Sequence, residues 1–209
     1  MQREFVRPVV KPGEMFDRFI GDEDPAVKVA AAHDTAWALL DRVQSMADPE
    51  LVQRVLRLVE AEGIDDIARL WSNAHEASLP GLLWRLYLLQ TVVSGDPQQA
   101  SVMFDHGNLV ITTIDPIVAG AQLPITPESV RVMCDEILRG AFTGDFAIAL
   151  ERAASASEVF AAGAADLADS REATDEVQAT KLTRQALRFS EIAEVFRSGA
   201  RAWRTGLVH

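Results

Sequence analysis

The chain has 209 residues, 31 acidic against 20 basic, with a net charge of −11 and a pI near 4.8. That charge repels phosphate backbones and anionic lipid, and no run of Lys or Arg offsets it, so nucleic acid and membrane surfaces are excluded as partner classes. The longest apolar run is interrupted by Arg85 and falls short of the about 20 residues a bilayer requires, so no membrane span is expected either.

The single cysteine, Cys134, cannot form an intramolecular disulfide, and the opening MQREFVRPVV lacks the apolar run of a secretory signal, which together point to a cytoplasmic protein. A chain of this length buries about 70% of the surface its unfolded form exposes, so neither metal nor disulfide is needed to hold it. The 17 Arg against 3 Lys, with abundant Ala, read as the coding bias of a GC-rich genome.

Residues 1–11 read as an extended arm, and Met15, Phe16, Phe19 and Ile20 predict a short helix over 13–20. Asp24-Pro25 opens a long helix to about Met46, Asp as N-cap and Pro in the first turn, with Val29, Ala32, Ala36, Leu39, Leu40 and Val43 facing inward. Asp48-Pro49 repeats the opener for an amphipathic helix to Glu62, Gly63 stops it, and a shorter helix follows over 64–71.

The stretch 78–94, SLPGLLWRLYLLQTVVS, is apolar nearly all round, which predicts a central buried helix capped by Ser78 and ended by Gly95. Asp96-Pro97 then opens another helix. Over 108–125, NLVITTIDPIVAGAQLPI, β-branched residues broken by proline predict an irregular apolar crossing, and long irregular segments are often functional. Thr126-Pro127-Glu128 starts a helix to about Arg139, with Gly140 after it.

Two long helices complete the chain, Asp145 to about Asp169 and about Thr174 to Trp203. In the last, Leu182, Phe189, Phe196 and Trp203 recur every seven residues beside Ala186, Ala193 and Ala200. The helix before it keeps the same register with Phe146, Ala153, Phe160 and Leu167, which predicts a long antiparallel hairpin. The fold expected is therefore all-α, an irregular multi-helix bundle over 1–125 with a three-helix region over 126–209 packed on it as one continuous domain. The recurring Asp-Pro openers resemble stacked repeats, but no period of about 40 residues supports a solenoid.

Catalytic signatures are sparse. His33-Asp34 resembles the ligand pair of the HD phosphohydrolases, yet residues 1–32 lack the further His that pattern needs. His75-Glu76 and Asp105-His106 flank the central helix and would converge if they formed one site, but ligands at i, i+3 or i+4 are missing, so no metal and no cofactor is expected. Glu-x-x-His pairs, a Gly-rich phosphate loop, a nucleophile elbow and a Cys-His pair are all lacking. Arg85 projects into the apolar arc of the central helix, which calls for a carboxylate partner or, less simply, an anionic ligand.

The strings LPGLLWRLYLLQ, TIDPIVAGAQ and RGAFTGDFAIALERAA resemble a family of small, uncharacterised helical proteins of high-GC Gram-positive bacteria. The resemblance covers most of the chain and implies a bacterial, cytosolic, helical protein; it brings no catalytic residues. The function expected is non-catalytic, an interaction or adaptor protein acting as a homodimer or with another protein through the hairpin, with Phe189, Ile192, Phe196 and Trp203 at the interface. The alternative is a helical hydrolase or small-ligand binder with its site between the central helix and 108–125, using His75, Arg85, His106 and Asp115.

Overall fold

The computed structural model describes residues 25–46 and 70–208. The arm at 1–11, the helices expected over 13–20 and 48–62, and most of that over 64–71 lie outside the described residues. Within them the elements are α1 (Pro25–Met46), α2 (Leu79–Gly95), α3 (Pro97–Val110), α4 (Asp115–Ala119), α5 (Pro127–Thr143), α6 (Phe146–Arg171) and α7 (Glu176–Arg204), and no strand. The protein is an all-α bundle, as the capped, periodic segments require.

Five of the helix starts are fixed by a capping side chain. Ser78 Oγ accepts from Gly81 N–H, Asp96 Oδ1 from Gln99 N–H, and Asp175 Oδ1 from Gln178 N–H. Thr126 and Ser129 cap each other reciprocally at the start of α5, and Asp145 takes the Ala147 and Ile148 N–H groups at the start of α6. These bonds satisfy donors that have no partner within the helix, and each is worth about 1 kcal/mol.

Two ends depart from expectation. Gly140 does not stop α5, which runs on to Thr143 because Ala141 and Phe142 reach the core, and their burial outweighs the about 1 kcal/mol that an internal glycine costs. The crossing at 108–125 is also partly helical: α3 extends to Val110 and α4 occupies Asp115–Ala119. The local signal was present, since Asp115-Pro116 repeats the Asp-Pro opener, but Asp115 stands one residue inside the helix and does not cap it.

The core is one continuous cluster drawn from all the elements, α1 to α7. In α2, Leu79, Leu82, Leu83, Leu86, Leu89 and Val93 are buried as the helical projection predicts, while Trp84, Tyr87 and Leu88 are half-buried and Val92 is exposed. The most extensively packed helix is α6, which touches α2, α3, α4, α5 and α7 and runs along α7 and α3. Glycines allow that approach. A Cβ added to Gly163 would lie 1.7 Å from the Met103 carbonyl oxygen, and one on Gly107 would lie 1.9 Å from that of Val159, so α3 and α6 meet backbone to backbone.

The α6–α7 hairpin consumes the apolar stripe expected to serve a partner. Phe196 is fully buried, Phe189 stacks on Phe160 at 5.1 Å between centroids, and Trp203 lies between Phe146 (4.8 Å) and Trp37 (5.7 Å). Ile192 is half-buried against the same core. The proposed intermolecular seam at these four residues is thus an intramolecular one, because the alanines of α6 leave room for the rings of α7.

Candidate interaction site

The segment joining α3 to α5 is braced from beneath and apolar on top. Asp115 points at the hairpin: it accepts from Ser155 Oγ at 2.7 Å and from Thr113 Oγ1, and sits 3.8 Å from Arg197, which itself pairs with Glu158 at 2.6 Å. Asp115, Ser155 and Glu158 are all half-buried or buried, which strengthens these bonds relative to water. At the other end of α4, Arg152 donates through Nε and Nη2 to the Ala119 carbonyl at 3.2 and 3.1 Å, neutralising the helix C-terminus, and reaches Glu136 at 3.5 Å. Gly120, at φ 87°, ends the helix; a side chain there would be strained and would meet the Arg152 guanidinium.

With Asp115 turned inward, the segment leaves several large apolar side chains in solvent, beside the exposed Thr112, Thr113 and Gln122. Leu109 is 74%, Ile114 68%, Ile117 78% and Leu123 77% exposed, and Val110 is half-exposed. Single exposed apolar residues are ordinary, whereas a run of them on one braced segment marks a contact surface. A shallow groove beside α4 is lined by Val118, Glu151, Ala154, Ser155, Arg197 and Arg201, so its walls come from the hairpin and not from the central helix α2, where the ligand-binding alternative placed them.

The four residues of that alternative have separate partners. His75 lies in the exposed turn before α2, where its Nδ1 accepts from Ala77 N–H at 3.2 Å. Arg85 donates to the Gly81 carbonyl at 3.0 Å and lies 3.5 Å from Glu76, an exposed carboxylate and not the buried one expected. His106 Nδ1 is 2.8 Å from Asp166, tying α3 to α6. Only Asp115 belongs to the braced segment. Among the described residues no three His, Cys, Asp or Glu side chains are grouped to hold a metal ion, and no described helix is long and apolar enough to cross a membrane.

Two ionisable groups near the site are shifted. A hydrogen bond from Arg204 holds the Glu151 carboxyl below the usual range, and burial pushes the Cys134 thiol up to about 12. Neither provides a nucleophile or a base poised near neutrality. What sequence reasoning missed is the outward set Leu109, Ile114, Ile117 and Leu123, whose exposure depends on which neighbour the segment lies against. No protein-family model, no curated protein and no solved structure matches the chain.

Proposed function

We propose that this protein is a non-catalytic interaction protein that docks a protein partner on the apolar segment between α3 and α5. The observation that carries the reading is the exposure of Leu109, Ile114, Ile117 and Leu123 on a segment whose backbone is already fixed by Asp115 and Arg152. A contact surface held in place before binding loses little conformational entropy on association, so its apolar area is turned into affinity with less loss. The segment 108–127 contains a single formal charge, Asp115, and that charge is turned inward, so it favours an apolar protein surface over a polyanion or an ionic ligand. A cytoplasmic setting accompanies the reading, supported by a lone buried thiol at Cys134 that behaves as a small hydrophobe.

Site-directed photo-crosslinking tests it. A photoreactive residue at position 117 should capture one discrete protein species in the native cell, and the same residue at Gln98, exposed on α3, should not. Equal capture at both positions, or none at 117, would sink the proposal.

A further inference from the structure

The outer side of α7 changes character halfway along. In its C-terminal half every cation has a carboxylate: Arg197 pairs with Glu158, Arg201 with Glu194 at 3.2 Å, and Arg204 with Glu151. In its N-terminal half Lys181, Arg184 and Arg188 are exposed, and among the described residues their side chains make neither a hydrogen bond nor an ion pair. They stand at i, i+3 and i+7, opposite the buried Ala179, Leu182 and Phe189, and border a surface groove with Glu176, Val177, Thr180 and Gln185. Like charges at these spacings destabilise a helix by a few tenths of a kcal/mol per pair. On a chain with 31 acidic residues, these three cations make no ion pair among the described residues, although Glu176 lines the same groove, so their mutual repulsion is a local cost.

We propose that this stripe docks a helical segment of another protein that carries carboxylates at i, i+4 and i+7. The reach fits: seven residues of helix span about 10 Å at 1.5 Å per residue on both sides of the contact. Guanidinium groups pair with carboxylates in a two-point fork, and Val177 and Leu187, both exposed beside the stripe, give such a helix apolar contacts as well. A nucleic acid fits poorly, because its phosphates continue past the three cations onto Asp175 and Glu176 at one end and Glu191 at the other, all exposed. Beyond about 8 Å the rest of the −11 charge is screened at physiological salt, so the local stripe decides the contact. This surface is separate from the apolar segment and stands or falls independently of it.

The test is fluorescence anisotropy of the full chain, at 0.15 M salt, with a labelled helical peptide bearing Glu at i, i+4 and i+7 and with the same peptide bearing Gln. The wild type should bind the Glu peptide about tenfold tighter than the Gln peptide. The triple variant Lys181→Gln, Arg184→Gln, Arg188→Gln should lose that preference, with an unchanged far-ultraviolet CD spectrum because all three side chains are exposed. The double variant Arg139→Gln, Arg171→Gln, which removes two exposed cations elsewhere, should keep it. Equal loss in both variants would reduce the effect to net charge and overturn the proposal, as would equal binding of the Gln peptide. A single-stranded oligonucleotide that displaces the Glu peptide at equal concentration would transfer the site to nucleic acid. A wild-type dimer in sedimentation that the triple variant abolishes would make the occupant a second copy; either result overturns the inference.

Discussion

Helices α2 and α6 reverse the ranking that composition gives them. With six leucines, α2 is the more apolar, yet one side of it, with Thr91 and Val92 exposed and Tyr87 and Leu88 half-buried, is only partly covered. With ten alanines and one glycine, α6 is the less apolar, yet it is the more extensively packed of the two, although each touches five other helices. Large side chains hold neighbours at a distance, whereas small ones let a neighbour approach closely along much of the helix. Centrality in a bundle therefore follows side-chain size as much as hydrophobicity.

The sharpest way to break this comparison is Gly163→Ala. An alanine in place of glycine ordinarily stabilises a helix by about 1 kcal/mol, but here the new methyl would sit on the Met103 carbonyl oxygen, a backbone atom that cannot rotate aside. The expected result in urea denaturation is a loss of more than about 4 kcal/mol or no cooperative transition at all. A stabilised variant would show that α3 and α6 are not in backbone contact.

Next in size is a pair of truncations on the two sides of α2. Leu82 is fully buried and seated on Gly199 of α7, so Leu82→Ala should cost about 3 kcal/mol. Val92→Ala, on the outer side, should cost less than about 0.5 kcal/mol. Similar losses at both positions would restore α2 as a helix buried all round.

Arg85→Ala sharpens the point at a single polar residue. The sequence placed Arg85 in the apolar arc and implied a loss of about 2 to 4 kcal/mol through a stranded buried carboxylate. The partner, Glu76, is exposed, so melts should instead show about 1 kcal/mol or less. A loss above about 2 kcal/mol would reinstate a buried role.

The smallest effect lies at the solvent edge of α6. Arg204 lowers the Glu151 pKa below its ordinary 4.5, so the pair contributes stability above that pH, and the contribution fades as pH falls through the folded-state value. Glu151→Gln should accordingly be less stable than wild type at pH 7 by a few tenths of a kcal/mol, and the two should converge in melts near pH 3. A gap that persists at pH 3 would assign Glu151 a role other than its charge.

Helix starts were legible because a cap is a contact within three residues: Ser78, Asp96, Thr126 and Asp145 announce themselves and do in the structure what their chemistry dictates. The seven-residue stripe of α7 was legible for the same reason, since a helix fixes which of its own residues share a face. The candidate site was not. Asp115 was visible as a polar residue in an apolar stretch, but its partners Ser155 and Arg197 lie 40 and 82 positions away in the chain.

Sequence alone therefore determined the fold class, the long hairpin and the net charge of −11, all of which rest on local periodicity, capping and composition. Tertiary structure decided that Phe189, Phe196 and Trp203 face the chain's own core, that Leu109, Ile114, Ile117 and Leu123 do not, and that Lys181, Arg184 and Arg188 make no ion pair among the described residues. The physical reason is that an apolar or charged face states only what it needs. Whether the need is met depends on which helices come close enough, and in this chain the alanines and Gly163 of α6, with Gly107 of α3, set that closeness.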